Sequence, residues 1–148
     1  MTLTLRQQKG ERLTNAEVDA NFEYLDQTKI AQSDLRFAAS FFVPESLSEN
    51  ETMAIVVLPR AILLEENLPL SQFFVQVPPQ DTNATVDILR NGSTIGSVLF
   101  EQNSGNTVID FQVDVACAAG DRIEFVNRHD NANAGFSGVA ITLTGIPQ

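Results

Sequence analysis

His129 is the only histidine of this 148-residue chain, and it lies in the polar run Asn127-Arg128-His129-Asp130-Asn131-Ala132-Asn133-Ala134-Gly135. An imidazole beside an aspartate is what a Ser-His-Asp hydrolase uses to activate its nucleophile. The Gly-x-Ser-x-Gly elbow that presents such a serine does not occur in the sequence. His129 is therefore expected to be a solvated loop residue. The same run offers two other chemistries. Asp130 and Asn131, together with Asp121, supply hard oxygens for a calcium ion if their loops meet; otherwise they are solvated turn residues. Asn127, Arg128, His129, Asp130 and Asn131 also mix the donors and acceptors that sugar hydroxyls require. Phe136 is the one aromatic ring beside them, tryptophan is absent and the single tyrosine is Tyr24. A glycan loop and a bare polar loop both stay open. The single cysteine, Cys117, excludes an internal disulfide and a cysteine zinc site. Its expected role is a small buried apolar side chain in a strand. The phosphate-cradling and EF-hand patterns are missing as well. These residues assign no catalytic, cofactor or metal site, and the chain reads as non-enzymatic.

The net charge of −10 is placed unevenly. Residues 1–36 carry five basic and six acidic side chains, which leaves four basic and thirteen acidic in 37–148. A body at net −9 is repelled by phosphate backbones, so nucleic acid is not an expected partner. The chain is 43% hydrophobic, enough for one core, yet no apolar run reaches the ~20 residues of a membrane span. The start, Met-Thr-Leu-Thr-Leu-Arg-Gln-Gln-Lys, lacks the apolar stretch of a signal peptide, which points to synthesis in a cytoplasm.

Residues 37–148 have the grammar of an antiparallel sandwich. Short apolar or alternating runs are separated by turn signals: 35–43, 53–58, 61–64, 72–77, 84–89, 94–100, 107–115, 123–126 and 136–143. Asn91-Gly92 between two of them suits a tight hairpin turn, with Gly96 tolerated in the returning strand at a bulge. In 107–115, Ile109, Phe111, Val113 and Val115 share parity and should point inward, while Asp110, Gln112 and Asp114 face water or a partner. The last run is expected to end at Gly145. Eight or nine such strands without intervening helices predict an all-β, jelly-roll-like sandwich of two facing sheets. Phe37, Phe41, Phe42, Phe73, Phe74, Phe100, Phe111 and Phe125 are the expected aromatic core. Phe41-Phe42 and Phe73-Phe74 are adjacent, however, and neighbours in a strand point to opposite faces. One member of each pair must leave the core, and exposed phenylalanines mark a protein–protein surface.

Ahead of the body, residues 1–36 predict one short helix. Thr14 and Glu17 have capping-box spacing, and Leu13 and Val18 have staple spacing. Val18, Phe22 and Leu25 follow i, i+4, i+7, and the same stripe then turns polar at Lys29, Gln32 and Arg36. A helix of about 15 residues is marginal alone in water, so this stripe wants a partner surface.

Gly10-x-x-Leu13-Thr14-x-x-Glu17-Val18-Asp19-Ala20-Asn21-Phe22-x-x-Leu25 resembles a segment near the start of many bacteriophage tail-fibre and other virion structural proteins. More loosely, 84–92, 95–98, 119–123 and 138–143 resemble β-sandwich domains of phage fibre and decoration proteins. The resemblance implies a virion subunit, typically a homotrimer. It would be attached to other virion proteins through the N-terminal segment, with Leu13, Val18, Phe22 and Leu25 as assembly residues. A tail-tip adhesin that binds a host surface glycan through 127–131 is the alternative reading.

Overall fold

The computed structural model describes residues 10–29, 35–45, 48–128 and 136–148. The chain forms two compact units, residues 1–34 and 35–148. In the first, helix α1 spans Asn15–Thr28. Thr14 is extended at φ −74°, ψ 160°, and both halves of the capping box form. The Glu17 amide donates to the Thr14 hydroxyl at 3.3 Å, and the Thr14 amide donates to Glu17 Oε2 at 2.7 Å. Two donors that a helix start leaves unpaired are thus satisfied.

The second unit is all-β. Its strands are β1 Phe37–Val43, β2 Thr52–Val57, β3 Ile62–Leu64, β4 Gln72–Val77, β5 Ala84–Arg90, β6 Ser93–Phe100, β7 Thr107–Asp110, β8 Val115–Cys117, β9 Arg122–Asn127 and β10 Ser137–Pro147. One sheet runs β1-β10-β3-β8, with β4 also on β10; the other runs β2-β9-β5-β6-β7. All pairings are antiparallel. The chain keeps changing sheets as it proceeds, which is jelly-roll connectivity. β3 and β4 lie along the same edge of β10, Ile62 opposite Pro147 and Val77 opposite Ser137, so they act as one strand interrupted by residues 65–71.

The core lies between the sheets. Phe41 of β1 and Phe125 of β9 meet across it with ring centroids 6.1 Å apart, and Phe100 meets Phe136 at 5.4 Å. Cys117 is buried there too, as the sequence leads one to expect. Asn91 and Gly92 both have positive φ, 50° and 84°, so the β5–β6 turn is the primed type that matches strand twist. The register slips between Ile88 and Leu89, opposite Gly96 and Thr94, which leaves Ile95 as the bulged residue.

Three expectations are corrected. The run 107–115 is two strands, not one: β7 belongs to the second sheet and β8 to the first. The chain crosses at 111–114, where Phe111 stays wholly buried but Val113 turns out to 63% exposure. Alternation is lost within the crossing, where Gln112, Val113 and Asp114 are all exposed. The crossing is fastened by Asn67, whose amide donates to the Phe111 carbonyl at 2.7 Å, and by Glu66, whose amide donates to Asp114 at 2.8 Å. Second, β10 does not stop at Gly145. A Cβ there would sit 3.0 Å from Leu63 O, so glycine lets β3 approach closely. Third, Asn127 is not a loop residue but the last residue of β9, and it is fully buried.

Candidate assembly surfaces

The helix stripe is half inside and half outside. Leu13 and Val18 are half-buried, whereas Phe22 is 67% and Leu25 49% exposed. Lys29 caps the C-terminus of α1, its amide donating to the Leu25 carbonyl at 2.9 Å. Arg36, the last position of the predicted stripe, lies beyond it and pairs with Glu65.

The two phenylalanine pairs divide as strand geometry requires. Phe41 and Phe73 pack against the core, while Phe42 and Phe74 stand outside at 58% and 62% exposure. Register then adds what periodicity alone does not contain. Phe42 is opposite Ala140 on one side of β10, and Phe74 is opposite Ala140 on the other. The two exposed rings therefore belong to one row across three strands, with a methyl-sized residue between them. In the neighbouring row the Ser40 and Thr142 hydroxyls bond each other at 2.9 Å.

Neither a protein-family model nor a curated protein matches this sequence.

The described polar candidates are held by neighbouring turns and strands. Asn127 donates its side-chain amide to Ser48 O at 3.1 Å and its backbone amide to Glu51 O at 2.9 Å, so it anchors the 48–51 turn. Arg128 reaches Asp87 with Nε 2.7 Å from Oδ2. His129, Asp130 and Asn131, and with them the centre of the glycan loop and two of the three calcium candidates, lie outside the described residues. Asp121, the third, accepts from Asn91 Nδ2 at 2.8 Å and from the Ala118 amide at 2.9 Å. Its Oδ2 is also 3.6 Å from Arg90 Nε. The Asn91 and Ala118 bonds, with the Arg90 charge, hold its carboxyl below the usual carboxylate range despite some desolvation. Burial pushes the Cys117 thiol up, against the pull of Arg90, which favours its protonated form. Among the described residues no three His, Cys, Asp or Glu side chains gather to hold a metal ion, and no helix is long and apolar enough to cross a membrane.

The row Phe42–Ala140–Phe74 is only partly legible beforehand. The adjacent pairs require two exposed rings, but which member leaves, and that both flank Ala140, depends on the pairing of strands some 30 and 65 residues distant in sequence from one another.

Proposed function

We propose that this chain is a non-enzymatic structural subunit of a bacteriophage virion, a tail-fibre, tail-associated or capsid-decoration protein. It assembles as a homotrimer and is held on other virion proteins by its N-terminal segment. The observation that carries this reading is a well-capped helix whose central apolar residues stand in water: Phe22 is 67% exposed and Leu25 49%. Fourteen residues are too few to hold a helix by propensity alone, so its stability comes from what it packs against. The resemblance of residues 10–25 to the start of virion structural proteins supports the same role. Asp121 accepts from Asn91 and lies beside Arg90, so these three polar side chains hold the β5–β6 turn.

Particle incorporation tests the proposal. Phe22→Ser combined with Leu25→Ser removes the exposed stripe and leaves Thr14 and Glu17 to start the helix. Particles grown with the doubly substituted chain should carry it at a small fraction of the normal copy number, measured by quantitative mass spectrometry of purified virions. Incorporation at the wild-type copy number refutes the reading.

A further inference from the structure

Identical copies of an acidic body repel one another, so contact between them is favoured at surfaces where charge is missing. The two sheets differ sharply in this respect. β5, β7 and β9 of the second sheet carry Asp87, Arg90, Asp110, Arg122 and Glu124. The five strands of the first sheet, β1, β3, β4, β8 and β10, contain no Asp, Glu, Lys, Arg or His at all. In a chain with 19 acidic residues, an entire sheet has been kept clear of them.

The outer face of that sheet is where this matters, because its inner face is core. Phe42 and Phe74 stand out from it at 58% and 62% exposure. They flank Ala140, two strand spacings or about 10 Å apart. The polar groups alongside are prepared for burial: the Ser40 and Thr142 hydroxyls already bond each other, which lowers the cost of taking them out of water. The same bond counts against a sugar platform, which needs hydroxyls turned outward. Aromatic anchors in a charge-depleted patch are the composition of a protein–protein interface centre.

We propose that the outer face of β1, β10 and β4 is the contact between the bodies of neighbouring copies of this chain, with Phe42 and Phe74 as its anchors. The inference rests on the self-assembly part of the proposed function and places that contact in the sandwich, separate from the helix.

Sedimentation equilibrium on the full chain tests it with three proteins: wild type, Phe42→Ser/Phe74→Ser, and Phe22→Ser/Leu25→Ser. Wild type should associate at micromolar concentration. Association should tighten as salt rises from about 20 to 200 mM, because screening removes body–body repulsion while the contact itself holds no ion pair. The Phe42/Phe74 variant should associate about a hundredfold more weakly. Hydroxyl-radical footprinting of the wild type gives a second reading without substitution: oxidation of Phe42 and Phe74 should fall several-fold on going from dilute to concentrated protein. Unchanged association of the Phe42/Phe74 variant, weakening with salt, a monomeric wild type, or rings equally oxidised at both concentrations each overturns the inference. So does a wild-type monomer that binds neutral oligosaccharides on a glycan array through these two rings. If only the Phe22/Leu25 variant dissociates, helix docking stands and the sheet contact falls; if that variant associates normally but is lost from particles, the sheet contact stands beside a helix used for attachment alone.

Discussion

Gly96→Ala is the substitution whose consequence the geometry fixes most tightly. Gly96 lies in β6 next to the bulged Ile95, and the ring of Phe111 covers it. A Cβ built on Gly96 would lie 2.5 Å from Phe111 Cδ2 and 2.8 Å from the Asp110 carbonyl oxygen. Carbon atoms pack at about 3.5–4.0 Å, so the ring must retreat by about 1 Å or the β7 backbone must move. Neither has room. Phe111 is fully buried in the shared core, and Asp110 is paired with Ser97 at the same level. Forcing one methyl into such a site costs about 1–3 kcal/mol, rising toward the ~3–5 kcal/mol of a lost phenylalanine if the ring is expelled. Against this, alanine restricts the unfolded chain and returns about 0.4–1 kcal/mol. The expected net loss is about 2 kcal/mol, or a fall in Tm of about 8 °C for a unit of this size.

Urea unfolding followed by far-UV circular dichroism measures it, with an unchanged slope expected if only the native state is affected. Gly92→Ala is the control. Nothing lies within 4 Å of its added Cβ, so only the positive φ of 84° is at stake, about 1 kcal/mol. Gly96→Ala with Phe111→Leu should lose less than the sum of the two single changes, since a smaller side chain makes room for the methyl. Stability of Gly96→Ala at or above wild type would mean that Phe111 does not lie over β6, and the crossing between sheets at 111–114 would have to be redrawn.

Two further outcomes follow from local hydrogen bonds. Thr14→Ala removes the acceptor for the Glu17 amide and should cost the helix about 1 kcal/mol, read as faster hydrogen exchange of the first-turn amides of α1; unchanged exchange refutes the cap. Asp121 has a folded-state pKa held down first by the Asn91 bond, then by the Ala118 amide and the Arg90 charge. A depressed carboxylate contributes stability above its unfolded pKa of about 3.9 and loses it as pH falls through the folded value. The gap in urea midpoint between wild type and Asp121→Asn should therefore hold from pH 7 to about pH 5 and close below about pH 4. A gap that stays constant to pH 2 rules this out.

Much of the sandwich is legible in the sequence where the signal is local. The Asn91-Gly92 turn requires only two positive φ angles, and the capping box requires only Thr14 and Glu17 at the right spacing. The adjacent phenylalanines required two exposed rings by strand alternation alone. Illegibility begins where a distant pairing decides. Nothing near residues 111–114 marks a change of sheet, since the alternation of Ile109, Phe111, Val113 and Val115 runs through it without a glycine or proline. Gly145 has the look of a stop, but its role is close approach to Leu63, some 80 residues earlier in the chain. Asn127 has the composition of the loop that follows it, yet its partners at Ser48, Asn50 and Glu51 bury it.

The uncharged sheet poses a problem that the rest of the chain answers. Strands β1, β2, β4 and β8 each pair with a single neighbour among the described residues, and none carries a charge. Ile55 and Val57 on β2 add 52% and 64% exposed apolar side chains to one of these edges. Such edges are templates for uncontrolled pairing. Two devices limit it. Three of them, β1, β2 and β4, run into a proline within two residues, Pro44, Pro59 and Pro78, and proline offers no donor to extend a ladder, while β8 is only three residues long. The body's net −9 then sets a repulsive background that any contact must overcome. Short edges recover too little area to do so; the broad face built on Phe42, Ala140 and Phe74 recovers more, because two large rings are buried together. Charge excluded from one sheet and carried by the loops and by β5, β7 and β9 thus selects a face-on contact over edge pairing, and a charge placed on that face, as in Thr142→Asp, should abolish association while leaving the sheet's strand pairing intact.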